Sequence, residues 1–192
     1  MKLSTVVGTL GIVGGLTTWP TSGWSGELDG GAIHGNIDAV AVGPGANVLN
    51  GNSVAVGASS ESGGQSVAVG TSAKAGSAGV AVGDNSNSAG AGNVALGERA
   101  STTAGTLNSV ALGTWSQSTR SNEVSIGYND ITRTISHVSA GTEENDAVNV
   151  RQLNTAKDDA VTAANKHTDT EITTLDGKAQ GYADGAKDAA IS

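Results

Sequence analysis

Three histidines and a few separate carboxylates are the side chains in this sequence whose chemistry could support catalysis or metal binding. His34, His137 and His167 lie in different segments, and none has a second histidine, a cysteine or a carboxylate at the spacing of a metal site. Asp84 and Asp130 are isolated, and the tandem Gly-Gly-x-Gly-x-Asp motif of calcium-binding β-rolls is missing. We therefore predict no catalytic residue, no metal site and no cofactor, and we expect a protein that is not an enzyme.

The composition argues against two further classes of partner. With 10 basic and 18 acidic residues, the net charge of −8 disfavours nucleic acid, because phosphate contacts need clustered lysine and arginine. No apolar run approaches the roughly 20 residues that span a bilayer as a helix, so we expect no membrane contact within this chain. No phosphate loop, dinucleotide fingerprint or Gly-x-Ser-x-Gly elbow occurs in a strand–helix context.

Two tryptophans near the N-terminus carry the side chains best suited to binding. Trp19 and Trp24 stand in a sequence that has no phenylalanine and only 3% aromatic residues, and tryptophan is enriched among binding hot spots. They are candidate ligand-surface residues, and capping of an open core end is the alternative role. Both belong to residues 1–37, which we interpret as a Gly-rich β segment at the tip of the fold, with a signal peptide as the alternative.

The elements that position these side chains follow from an internal repeat. Seven short segments end in glycine, and successive terminal glycines lie 14, 13, 13, 14, 16 and 14 residues apart. The longest interval predicts a lengthened turn after Arg99. A hexapeptide acyltransferase repeat has a different period and needs a catalytic histidine, so we exclude it. The seven segments are residues 39–43, 53–57, 66–70, 79–83, 93–97, 109–113 and 123–127.

Each repeat predicts two strands and two turns. In Ser66-Val-Ala-Val-Gly70, Val67 and Val69 share one strand face because side chains alternate, and Ala68 faces the other way. Gly70 begins a turn, since a positive φ costs glycine little. Stacked coils bury a face that one coil cannot bury alone, so we predict a parallel β-roll with a narrow aliphatic interior. The predicted repeat core is Val54, Val56, Val67, Val69, Val80, Val82, Val94, Leu96, Val110 and Leu112.

A helical segment is predicted after Gly141, where glycines become sparse and Ala, Asp, Lys and Thr dominate. Asp146 is a candidate helix N-cap, because its carboxylate can accept from free N–H groups of the first turn. From Leu153 onward, residues at spacings of three and four predict a weak coiled-coil seam. Gly177, Gly181 and Gly185 lower the helix propensity, so a disordered polar tail beyond Leu175 is the alternative.

The repeats resemble the head of the YadA-like trimeric autotransporter adhesins. The resemblance continues through Arg133-Thr-Ile-Ser-His-Val-Ser-Ala-Gly141 and Asp146-Ala-Val-Asn-Val-Arg-Gln-Leu153, which are similar to the family's neck. It implies an all-β repeat head, a trimeric left-handed parallel β-roll, followed by a neck and a trimeric α-helical coiled-coil stalk. The expected domains are a head tip at 1–37, head repeats at 38–130, the neck at 131–153 and the stalk at 154–192. Trp115 departs from the family pattern, since it stands where a small residue is usual.

A homotrimer is expected from the thin core as well as from the resemblance, because a chain with so little apolar bulk buries too little surface to be stable alone. The family implies a bacterial surface adhesin. It would bind host cells or matrix proteins of the collagen, fibronectin or laminin class and would be anchored in a Gram-negative outer membrane by a C-terminal region absent from this chain. A structural spacer or a trimeric fibre segment, including a phage tail fibre, is the alternative function. The neck residues expected to join the trimer are Asp146, Val148, Val150, Arg151 and Leu153.

Overall fold

A computed structural model describes residues 25–28, 30–34 and 38–191 of the 192-residue chain. Trp19 and Trp24, the candidate ligand-surface residues, lie outside the described residues. The described residues divide into two compact units, of which the first ends at Arg133 and the second begins at Thr134. Among the described residues, no helix combines the length and apolar character needed to cross a membrane.

The first unit contains fifteen short strands among its described residues, and they form two parallel sheets. The first sheet has the order β1-β3-β5-β7-β9-β11-β13-β15, and the second runs β14-β12-β10-β8-β6-β4-β2. The strands are β1 (Ser25–Leu28), β2 (Ala32–Ile33), β3 (Ala39–Val42), β4 (Asn47–Val48), β5 (Val54–Val56), β6 (Glu61–Ser62), β7 (Val67–Val69), β8 (Lys74–Ala75), β9 (Val80–Val82), β10 (Asn87–Ser88), β11 (Val94–Leu96), β12 (Ser101–Thr102), β13 (Val110–Leu112), β14 (Gln117–Ser118) and β15 (Val124–Ser125).

This topology confirms the predicted β-roll with two strands in each coil. Each strand pairs in parallel with the same strand of the next coil, so that Val54, Val67 and Val80 lie in one register. The stack also extends beyond the seven repeat segments, because β1 pairs with β3 although its sequence, Ser-Gly-Glu-Leu, lacks the repeat motif. Backbone pairing, rather than the side-chain pattern, therefore defines this additional coil.

The interior of the roll is the reverse of the one predicted. Ala55, Ala68 and Ala81 are completely buried, whereas the valines on either side of them are half-buried or exposed. The prediction that the valines fill the coil interior is therefore wrong for the chain by itself. The second sheet also turns mostly small residues inward, and its largest completely buried side chain is Val48. The predicted core residues, all facing outward from the coil, are Val54, Val56, Val67, Val69, Val80, Val82, Val94, Leu96, Val110 and Leu112.

The two turns of each coil behave differently. The turn after each first-sheet strand, which we call the glycine turn, has four residues in every coil from 43–46 to 113–116. The turn after each second-sheet strand, which we call the variable turn, has four, five or seven residues. The repeat period of 13, 14 or 16 residues therefore depends on the variable turn alone. The long interval is accommodated after β12, over residues 103–109, and the turn containing Arg99 has the ordinary length.

The second unit consists of a segment with little regular structure followed by one long helix, α1 (Val150–Ile191). The helix is continuous past Leu175, so the alternative of a disordered polar tail does not match the structure. Its N-cap is Asn149 and not the predicted Asp146. The Asn149 Oδ1 atom accepts from the Gln152 backbone N–H at 3.1 Å, and Gln152 Oε1 accepts from the Asn149 N–H at 3.2 Å. These reciprocal bonds form a capping box.

Candidate functional site

The outward side of the first sheet is an apolar surface, which we call the valine face. Its side chains form two columns, because register places equivalent residues of successive coils directly beside each other. None of these side chains is buried within the chain, and Leu112 remains 46% exposed. The columns are Val40, Val54, Val67, Val80, Val94, Val110 and Val124, and beside them Val42, Val56, Val69, Val82, Leu96 and Leu112.

The outward side of the second sheet has the opposite character. It presents one polar side chain for each coil from β4 to β14, all half-buried or exposed and all in parallel register, whereas β2 has Ala32 at this position. A monomeric protein rarely leaves a large contiguous apolar surface open to water, and such a surface marks an interaction site. The valine face therefore fits an assembly contact, whereas this polar face suits water or a polar ligand. The polar face consists of Asn47, Glu61, Lys74, Asn87, Ser101 and Gln117.

Arg133 closes the C-terminal end of the roll. Its guanidinium donates to the Thr114 carbonyl at 2.6 Å, to the Ile126 carbonyl at 2.5 Å and to the Ser116 hydroxyl at 2.8 Å. A side chain added at Gly113 would meet this guanidinium at 3.0 Å, whereas at Gly97 it would meet the backbone of the next coil. Arg133 thus occupies the place of a further coil. This explains why the first unit extends past the predicted head limit at residue 130.

Glu123 closes the last variable turn. Its carboxylate accepts from the backbone N–H groups of Thr119, at 2.9 Å, and Arg120, at 3.1 Å. It also accepts from the Arg120 guanidinium at 2.7 Å. The bond from the Arg120 side chain, followed by the one from the Thr119 N–H, lowers the pKa of Glu123 from an ordinary value of 4.5 to about 2. Glu123 stands where the other repeat segments have alanine, serine, glycine or asparagine, so sequence position alone could have identified it as unusual.

The segment before the helix is fixed to the first helical turn by side-chain amides. Asn149 Nδ2 donates to the Val138 carbonyl at 3.1 Å, and Gln152 Nε2 donates to the Gly141 carbonyl at 2.9 Å. Asp146 accepts from the N–H groups of Thr142 and Glu143, and these bonds lower its pKa. Asp146 therefore stabilises a turn before the helix, while Asn149 and Gln152, which the sequence analysis did not select, fix the helix start.

The apolar residues predicted to join the trimer at the neck are exposed in the single chain. Val148 is 69% exposed, Val150 73% and Leu153 63%. Val148 and Leu153 line one shallow groove together with Arg151. The helix as a whole has no buried residue. We also expect Asp146 of one chain to pair with Arg151 of another, and this stays a prediction.

Among the described residues, the histidines and carboxylates do not gather into a candidate metal site. The described residues contain no group of three or more histidine, cysteine, aspartate or glutamate side chains that could hold a metal ion. His34 contacts Asn47, with 2.8 Å between Nδ1 and Oδ1, which is a contact between neighbouring coils. His137 is exposed and has a φ of 61°, so its position is that of a turn residue.

One exposed pair of large side chains was not selected from the sequence as a binding site. Arg99 and Trp115 occupy equivalent positions in adjacent glycine turns, and the Arg99 Cζ atom lies 4.7 Å from the centre of the Trp115 ring. Trp115 is 50% exposed. The departure of Trp115 from the small residues of the repeat was the available signal.

Two of the matches found by comparison with known proteins agree with this geometry. Residues 134–176 match the family described as the coiled stalk of trimeric autotransporter adhesin. The crystal structure of the collagen-binding domain of the Yersinia adhesin YadA is similar to the chain, with 36% sequence identity and a TM-score of 0.64. This similarity covers 66% of this chain and 71% of that chain. No curated protein sequence is significantly similar to the chain.

Proposed function

The chain belongs to the YadA-like family of trimeric autotransporter adhesins, and from that premise we propose that it is the adhesive head, neck and first part of the stalk of a bacterial surface fibre. Three copies assemble through the valine face and the neck. The outer surfaces bind host matrix proteins of the collagen class. The trimer is displayed on the cell surface and anchored in the outer membrane of a Gram-negative bacterium.

The homotrimer is supported by the contrast between the two outward surfaces of the roll. Burying aliphatic side chains contributes roughly 25 cal/mol for each Å² removed from water, and the valine face offers two unbroken columns of them. The helix supplies a second reason, because Val150 and Leu153 gain burial only from another chain. A single chain leaves all of this apolar surface in contact with water.

The assembly is tested by Val82→Asp, because Val82 faces outward and its replacement leaves the coil interior unchanged. We expect this variant to lose the trimeric mass in light scattering. Asn87→Asp is the matched control, since it adds a carboxylate to the same coil on the polar face. A trimeric Val82→Asp protein, or a parent chain that is monomeric at micromolar concentration, would contradict the proposed interface.

The proposal of adhesion to matrix protein rests on one observation. The chain is similar, over 66% of its length, to the collagen-binding domain of a Yersinia adhesin. The physical features agree with it. The stacked coils repeat polar and turn positions on each of three chains, and many weak contacts give strong overall binding when they act together.

The binding proposal is tested by surface plasmon resonance of the full chain over immobilised triple-helical collagen, fibronectin and laminin. We expect a signal on collagen that weakens when the trimer is dissociated by Val82→Asp and persists in Asn87→Asp. Absence of binding to all three proteins by a correctly assembled trimer would favour the alternative, a structural spacer that projects a binding region located elsewhere.

A further inference from the structure

The third residue of each glycine turn from 43–46 to 113–116 adopts the left-handed backbone conformation. The size of its side chain increases abruptly along the stack. In the earlier coils this residue is Gly45, Ser59, Ser72 and then Asn85, with φ between 52° and 69°. In the next two coils it is Arg99, at 52°, and Trp115, at 61°. Glycine and asparagine adopt this conformation with least cost, whereas a bulky side chain there is an outlier that calls for a functional explanation.

The fold holds these two large side chains against each other. The Trp115 backbone N–H donates to the Glu98 carbonyl at 2.9 Å, and the Arg99 N–H donates to the Asp84 carbonyl at 2.8 Å. This ladder fixes the separation of successive turns, so the guanidinium lies over the indole at 4.7 Å. Glu98 accepts from the Arg99 guanidinium at 3.1 Å and orients it. Half of Trp115 and 46% of the Arg99 side chain are exposed, so the pair remains accessible from water.

The chemistry of the pair suits a particular kind of ligand. A polyproline II segment has no internal hydrogen bonds, so its carbonyl groups point outward together with its proline rings. Such segments dock on exposed aromatic side chains. The indole offers an apolar plane for a proline ring. The Arg99 guanidinium carries five N–H donors. Among the described residues, Glu98 is the one side chain that accepts a hydrogen bond from it, so other donors remain for backbone carbonyls of the ligand.

From this geometry we infer that Trp115 and Arg99 form a contact site for a proline-rich, collagen-type strand on the outside of each head. The inference rests on the proposed collagen-class function and names the surface that carries it. Tryptophan and arginine are the residues most enriched among binding hot spots, and no other coil offers either one at this position. Binding by this site would be repeated on each of the three chains.

The repeat itself supplies the test variants. Trp115→Asn introduces the residue that occupies the same backbone position at Asn85, so the turn should keep its conformation. Arg99→Ser introduces the residue found at Ser59 and Ser72. Ser72→Asn, at the equivalent position two coils before Arg99, is the matched control. Each full-length variant is checked for its melting temperature and trimeric mass, and then measured for binding to triple-helical collagen and to heat-denatured collagen.

We expect Trp115→Asn to retain the mass and melting temperature of the parent and to weaken collagen binding about tenfold or more, the usual effect of removing a hot-spot side chain. Arg99→Ser should weaken it less, and Ser72→Asn should leave it unchanged. Binding by Trp115→Asn equal to that of the parent would overturn the inference while leaving the collagen-binding function standing. No binding by the parent would overturn both. Loss of trimeric mass in Trp115→Asn would also overturn the inference, because Trp115 would then be a contact between copies of the chain.

Discussion

The roll and the helix obtain their stability from different places. In the roll, alanine and serine side chains are buried between two sheets of the same chain, and backbone groups pair from coil to coil. In the 42-residue helix no side chain is buried, and its aliphatic residues are exposed. The roll therefore has an interior within one chain, whereas the helix would obtain an interior from the partner chains of the proposed trimer. Small residues mark the inside of the roll, and large aliphatic residues mark the proposed contacts between chains in both regions.

The largest expected effect is at the start of the helix. Val150→Asp would place a carboxylate from each chain in the proposed shared interior, where an unpaired charge costs several kcal/mol. We expect the helical circular-dichroism signal to disappear at concentrations where the parent is helical, while the β signal of the roll persists. Val150→Leu is the control and should remain helical. A melting temperature equal to that of the parent would show that Val150 lies outside any shared interior.

A second prediction tests which face of the first sheet is inside. Ala81→Leu adds bulk to a completely buried position in the roll. Overpacking of this kind costs about 1–3 kcal/mol or more, so we expect a lower unfolding midpoint in urea. Ala91→Leu makes the same change at an exposed position in a variable turn and should have little effect. Equal midpoints for the two variants would contradict the alanine interior.

A third, smaller effect is expected at the end of the roll. Arg133→Ala removes three hydrogen bonds donated by a charged group, each of a kind that contributes about 1.5–3 kcal/mol when well shielded from water. Because Arg133 is exposed, we expect a total loss of about 1–2 kcal/mol, measured on the β signal. Lys187→Ala, which removes a positive charge from the exposed helix surface, serves as the comparison. If Arg133→Ala and Lys187→Ala reduce the stability of the roll equally, the proposed closing role of Arg133 is wrong.

The smallest effect concerns pH. The pKa of Glu123 is lower in the folded chain than its ordinary value of 4.5, so its contribution to stability is complete above about pH 4.5 and is lost as the pH falls toward 2. Glu123→Gln should lower the melting temperature at pH 7 by no more than about 4 °C, and the difference from the parent should shrink toward pH 2. Glu144→Gln, in the exposed neck, is the control. A difference that stays constant with pH would rule out the carboxylate as its cause.

The sequence contained enough information for the architecture but not for its inner and outer faces. Glycines at a nearly fixed period predicted the coils, because a stack repeats its turns. Alternation along Val67-Ala68-Val69 was equally consistent with either face inside, and hydrophobicity favoured the wrong one. The inward positions of the second sheet, including Ser62 and Ala75, are also small, and this second series of small residues was the signal that indicated a narrow interior.

Two smaller errors have similar physical causes. Asp146 has the residue type of an N-cap, yet the spacing of Asn149 and Gln152 matches a capping box, and reciprocal bonding decided where the helix begins. The long interval between glycines fixed the presence of extra residues but not which of the two turns contains them. The strand boundaries place them in the variable turn, because every glycine turn from 43–46 to 113–116 has four residues.

The variable turn allows a coil to contain more or fewer residues while its strands stay paired with those of the neighbouring coils. In its longest form, residues 103–109, the extra residues are held by Asn93, whose side chain donates to the Thr106 carbonyl at 2.9 Å and accepts from the Ser109 N–H at 3.0 Å. Gly105, at the outer end of this turn, has open space around it. The variable turns of this chain already differ in length by up to three residues, and the strands on either side stay paired. An epitope inserted between Ala104 and Gly105 should therefore be displayed while the neighbouring coils keep their register.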